Sequence, residues 1–129
     1  MKKIINVGIA GFGMSAKTFH APFLDLDPHF QIKKVFERTT EVAKTIYPYV
    51  EVVHDFNALL TPDIDLVIIT TPNQTHYTLA KNAILAGKHV VVEKPLAITA
   101  QHALELDQLA QTHHVVLSVY FVEPTSLHL

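Results

Sequence analysis

Along the chain, short runs of β-branched and aliphatic residues alternate with longer stretches in which apolar positions recur every three or four residues. Such alternation predicts βαβ units around a parallel sheet. A first strand is predicted over 4–10 (IINVGIA), then a helix over 15–26 disturbed by Pro22, then a second strand over 31–37 (QIKKVFE). Thr39 or Thr40 stands where it would cap a helix running to Ile46. A third strand is expected over 50–54, one or two helical turns over 55–60, and a buried strand over 65–70 (DLVIIT). A helix over 74–86 stops at Gly87, a residue suited to a helix C-terminus. The fifth strand covers 88–92 (KHVVV). Ile98 and Thr99 open a long helix with Ala103, Leu106 and Ala110 on one face, and the sixth strand covers 115–119 (VVLSV). The strands read as near-continuous Val/Ile runs, which implies helices on both faces of the sheet. The predicted fold class is therefore α/β: a doubly wound, three-layer sandwich of six parallel strands in the order 3-2-1-4-5-6.

A length of 129 residues, 49% of them hydrophobic and 17% charged, is right for one globular core and wrong for a disordered or collagen-like chain. Ten basic residues against twelve acidic ones leave a net charge of −2, so nucleic acid and anionic membrane are not expected partners. The absence of cysteine removes disulfides, thiolate metal sites and Cys nucleophiles, and fits a cytoplasmic location. Met1-Lys2-Lys3 and the apolar residues after it imitate a secretory signal, but Asn6, Gly8, Gly11 and Gly13 interrupt the run. No stretch approaches the ~18 apolar residues of a membrane span. The histidines show no spacing of metal-site type, so no metal is expected. There is no G-x-S-x-G nucleophile elbow.

The chemistry-bearing residues cluster where strands end. Gly11-Phe12-Gly13-Met14-Ser15-Ala16 is a G-x-G-x-x-A that follows a strand and opens a helix. Gly11 permits the tight turn, Gly13 lets the backbone approach a pyrophosphate, and Ala16 allows close helix–strand packing. The amides of Met14 and Ser15, at the positive end of a helix dipole, would face the phosphates. Glu37 ends the second strand 21 residues beyond Ala16, where a dinucleotide-binding fold places an acid on the adenosine ribose. Alternatively, the glycines only make a turn and Glu37 is a strand-end charge. Arg38 could stack on adenine or pair with a 2′-phosphate, yet Glu37 would repel that phosphate, so NAD is favoured over NADP. At the end of the fourth strand, Thr70, Thr71 and His76 offer hydrogen bonds to ribose or phosphate and Asn73 can cap the next helix. Read alone, Asn73 is adequately explained as a cap and His76 as a first-turn surface residue. After the fifth strand come Glu93 and Lys94. A lysine in a partly desolvated cleft could orient a substrate hydroxyl or move its proton, although a solvated loop charge satisfies the same spacing.

These residues carry a resemblance. VGIAGFGMSAKTFHAPFL (7–24) and TTPNQTHYTLAKNAILAGKHVVVEKPLA (70–97) are similar to the N-terminal domain of the Gfo/Idh/MocA oxidoreductases, the family of glucose-fructose oxidoreductase and inositol 2-dehydrogenase. The resemblance implies a NAD(P) site. Gly11, Phe12, Gly13, Met14 and Ser15 would hold the pyrophosphate and Glu37 and Arg38 would meet the adenosine. Thr70, Thr71, Asn73 and His76 would line the cofactor's path, with Glu93 and Lys94 near the nicotinamide and Lys94 tied to catalysis. It further implies hydride transfer to or from a sugar or cyclitol in an enzyme completed by a second, substrate-binding domain. The resemblance covers 1–120; the tail over 121–129 (FVEPTSLHL) does not fit the family pattern, and a truncated or frame-shifted relative, or an excised domain, is the expectation. Such a chain is expected to bind nucleotide without turnover and to self-associate as a homo-oligomer through 115–121 or the helix from Thr99. The alternative is a non-catalytic dinucleotide-binding redox sensor or partner subunit.

Overall fold

The computed structural model describes residues 4–13, 16 and 20–120. Six parallel strands form one sheet in the order β3-β2-β1-β4-β5-β6, as the alternating pattern predicts. They are β1 Ile5–Ala10, β2 Phe30–Phe36, β3 Glu51–Val53, β4 Leu66–Ile69, β5 His89–Glu93 and β6 Leu117–Tyr120. The helices are α1 Ala21–Leu26, α2 Val42–Ile46, α3 His76–Leu85 and α4 Ala100–Thr112.

Alternate strand residues feed two hydrophobic layers, because successive side chains leave a strand on opposite faces. Val7 and Ile9 of β1 and Ile68 of β4 join Ala21 of α1 and Ala43 of α2 on one face. Ala10, Val67 and Ile69 join Ala80, Ala83 and Ile84 of α3 and Leu106 and Ala110 of α4 on the other. The result is the expected α/β/α sandwich. It explains why the central strands β1 and β4 lack polar alternation: both are covered on two faces.

Local departures from the sequence reading have identifiable causes. Pro22 sits in the first turn of α1 and does not disturb a helix, since the missing N–H has no intrahelical partner there anyway. The start of the helix predicted over 15–26 falls largely outside the described residues. The predicted turns over 55–60 form a 3-10 helix, Phe56–Leu59. Gly87 has φ +79, and the N–H groups of Gly87 and Lys88 reach back to the carbonyls of Ile84 and Ala83 at 2.9 and 3.0 Å. That left-handed stop is what glycine supplies cheaply at a helix end. Thr99 caps α4, accepting from the His102 N–H at 3.1 Å.

Candidate cofactor site

In an open α/β sheet, ligands bind at the carboxyl ends of the strands where the strand order reverses. Here the chain runs outward from β1 to β2 and β3 on one side and to β4, β5 and β6 on the other. A cleft of about 640 Å³ opens at that edge, walled by Gly11, Phe12 and Gly13 after β1, Phe36 to Thr40 after β2, and Thr70 to Pro72 after β4.

Gly11 is demanded by the protein itself. Its φ is +89, and a Cβ there would lie 2.9 Å from Thr70 Oγ1. The Thr70 hydroxyl cannot easily yield, being held by the carbonyls of Ala10 and Gly11 at 2.9 and 3.1 Å. Gly13 is different. A Cβ at Gly13 would meet no described atom within 4 Å, so packing among the described residues does not call for glycine there. What the missing side chain leaves is open space on the cleft wall, the arrangement a pyrophosphate needs to lie against backbone. The residues present therefore fit a dinucleotide. Met14 and Ser15 lie outside the described residues.

Glu37 is 5% exposed and turns inward. Its Oε1 accepts from the Thr40 hydroxyl at 2.6 Å and the Val42 N–H at 3.0 Å, and its Oε2 accepts from the Ala43 N–H at 2.8 Å. The carboxylate thus caps α2, whose N-cap residue Glu41 makes no capping bond of its own. The predicted Thr39 or Thr40 cap is replaced by the acid that follows the preceding strand. The Glu37 carbonyl accepts from His54 Nδ1 at 2.7 Å; this bond, helped by Glu41 at 3.4 Å from Nε2, holds the His54 pKa above its ordinary value. Arg38, Thr39 and Thr40 stand exposed on the cleft rim.

On the β4 side, Thr71 and Thr75 join their hydroxyls at 2.6 Å, and Thr75 donates to the Pro72 carbonyl at 2.6 Å. Asn73 begins a 3-10 turn, Asn73–Thr75, and neither that turn nor α3 carries a side-chain cap. Asn73 is exposed and outside the cleft wall. His76 is no surface residue: it is 1% exposed, its Nδ1 is 2.7 Å from the Pro95 carbonyl and its Nε2 2.8 Å from the Thr71 carbonyl. It ties the β4 loop to the β5 loop behind the cleft. Glu93 pairs with buried His20, Oε2 to Nε2 at 3.4 Å, and the His20 ring rests edge-on to Tyr120 with centroids 4.8 Å apart. Lys94 follows, exposed, its N–H bonded to the Tyr120 carbonyl at 2.9 Å. The cleft wall thus gathers Gly11, Phe12, Gly13, Glu37, Arg38, Thr70 and Thr71. His76 at the start of α3, Glu93 at the end of β5 and Lys94 on the loop after it stand beside that wall.

Phe36, Phe56 and Leu79 form an apolar wall of the cleft, with the two phenyl rings edge to face at 6.2 Å. Sequence reasoning passed over all three because each fits an ordinary core position. Among the described residues no three His, Asp or Glu side chains group as a metal site.

A model of the oxidoreductase family with a NAD-binding Rossmann fold, Gfo/Idh/MocA, matches residues 5–121. The chain belongs to this family. Among Gfo/Idh/MocA relatives, scyllo-inositol 2-dehydrogenase (NADP(+)) IolW of Bacillus subtilis is 44% identical over 117 residues, which are 90% of this chain and 33% of that protein. A crystal structure of an oxidoreductase from Bacillus cereus superposes with a TM-score of 0.85 at 39% identity, over 90% of this chain and 34% of that one. Synechocystis biliverdin reductase, in complex with biliverdin and NADP+, gives 0.81 at 36% identity, over 89% and 37%. The chain spans about a third of the length of the curated relatives it matches, and what it carries of the family is the NAD(P)-binding domain.

Proposed function

We propose that the cleft binds a nicotinamide dinucleotide with its pyrophosphate against the turn at Gly11–Gly13. Completed by a substrate-binding domain, the protein then transfers hydride between the nicotinamide and a hydroxyl or carbonyl carbon of a sugar or cyclitol. The observation that carries this reading is Gly13: a glycine that lines the cleft and whose Cβ would meet no described atom within 4 Å, two residues from a Gly11 that the fold itself requires. The scyllo-inositol chemistry in the name of the Bacillus subtilis relative supports the substrate class.

When bound, the cofactor supplies a hydride donor or acceptor at its nicotinamide ring. The chain's own part is positioning. The Phe36–Phe56 wall offers an apolar surface to a ring. Lys94, on the loop after β5 at the same sheet edge, presents an ammonium that would orient a substrate hydroxyl and move its proton. His20 and Tyr120 brace that loop through Glu93 and the Lys94 N–H. Turnover requires a positioned substrate and exclusion of water, so the chain by itself is expected to bind cofactor with negligible turnover. A cysteine-free, negatively charged chain suits the cytoplasm.

A fluorescence titration with NADH and NADPH tests the site. Saturable binding that disappears in Gly13→Asp supports it, and absence of saturable binding to either overturns it. A robust dehydrogenase rate from this chain with scyllo-inositol or glucose would overturn the dependence on a second domain. The second reading, a non-catalytic module that pairs with another protein, draws on the apolar residues left exposed: Val116, Val119 and Tyr120 around β6 and Phe23 and Leu26 on α1.

A further inference from the structure

Resting on the dinucleotide reading of the cleft, we infer that Glu37 is the helix cap of α2 and not the ribose ligand, so that Arg38 and Thr39 read the 2′ position and select the 2′-phosphorylated cofactor. An acid at the end of the second strand normally favours the unphosphorylated dinucleotide by accepting from the ribose hydroxyls and repelling a phosphate. For Glu37 to do so, its oxygens would have to face the cleft. Instead all three of its hydrogen bonds are internal: the Thr40 hydroxyl, the Val42 N–H and the Ala43 N–H.

The commitment is hard to reverse. Val42 and Ala43 open α2, Ala43 is fully buried, and no side chain at the N-cap position stands ready to replace Glu37. Turning the carboxylate outward would strand two N–H groups at a helix start. The backbone on either side is also fixed, with the Glu37 N–H on the Val53 carbonyl at 3.0 Å and the Glu37 carbonyl on His54. With its charge met by three donors, the acid's repulsion of a phosphate is blunted. What the rim offers a ligand is a guanidinium and a hydroxyl, Arg38 and Thr39, both exposed on the cleft wall. A guanidinium matches phosphate geometry with two parallel hydrogen bonds.

The test compares NADH with NADPH, and 5′-AMP with 2′,5′-ADP, on the full chain. NADPH is expected to bind at least about tenfold tighter than NADH at low salt, with the advantage shrinking as salt rises. The same order holds for 2′,5′-ADP over 5′-AMP. Arg38→Ala brings the ratio of NADPH to NADH affinity down to about one, the readout being that ratio and not the affinity for either dinucleotide alone. Glu37→Gln, which presents an amide to the Ala43 N–H, lowers the melting temperature and leaves the NADPH preference in place. Equal or tighter binding of NADH overturns the inference, as does a Glu37→Gln protein of unchanged melting temperature that loses NADH affinity. Binding of neither dinucleotide overturns the reading of the cleft itself, and Arg38→Ala keeps the comparison decisive if Glu37→Gln does not fold.

Discussion

Single residues decide whether the cleft exists. Gly11 combines a left-handed φ with a contact to Thr70 that leaves no room for a methyl group. Gly11→Ala is expected to cost roughly 1–3 kcal/mol, read as a lower midpoint in urea, and to weaken dinucleotide binding as the turn shifts. His54 carries a pH dependence. Its folded-state pKa is raised, chiefly by donating to the Glu37 carbonyl, so its stabilising charge is fully present below the ordinary imidazole value of about 6.5. That contribution is lost as pH rises through the folded-state value. Melting temperatures measured from about pH 5 to about pH 8 should fall more steeply in the natural chain than in His54→Gln, which keeps a donor but does not titrate. The glycine fingerprint was legible in the sequence because glycine at a strand–helix junction has few uses. The direction in which Glu37 points was not, because an acid at a strand end looks the same whether it faces a ribose or a helix start.

At the scale of elements, strands and helices were legible to within a residue or two where apolar period and stop residues agree, as in α3 ending before Gly87 and α4 opening at Thr99. They were less so where the determining partner is distant in sequence. α2 begins at Val42, beyond the threonines, because its cap comes from Glu37, the residue that follows β2. His76 reads as a surface residue of a first turn, yet it is buried by a loop that arrives nineteen positions later. Packing between elements sets the mutational costs. Leu106, fully buried where α4 meets the core, is expected to cost about 2–5 kcal/mol as Leu106→Ala. Thr99→Ala, removing an exposed cap, should cost only about 0.5–2 kcal/mol. Reversed magnitudes in chemical denaturation would mean that α4 is held by its end and not by its face.

For the molecule as a whole, the strand order followed from sequence because doubly wound sheets have few alternatives once βαβ units are counted. The surface was less legible. Phe23 and Leu26 are 79% and 84% exposed, and among the described residues β6 forms a sheet edge carrying Val119 and Tyr120, both exposed. Unprotected edges template unwanted pairing, so Val119→Lys is expected to slow concentration-dependent association measured by light scattering. The sheet order also bears on synthesis. β1, translated before the other five strands of the sheet, lies between β2 and β4, with Ile5 paired to Phe30 and Val7 to Leu66. One side of the central strand therefore stays unzipped until Leu66 has been translated, a delay of several seconds at ~5–20 residues per second. Nascent chains halted before Leu66 should be cut readily by protease, and those extended past Glu93 should resist. The birth order of this protein leaves its most protected backbone as the part that waits longest for shelter.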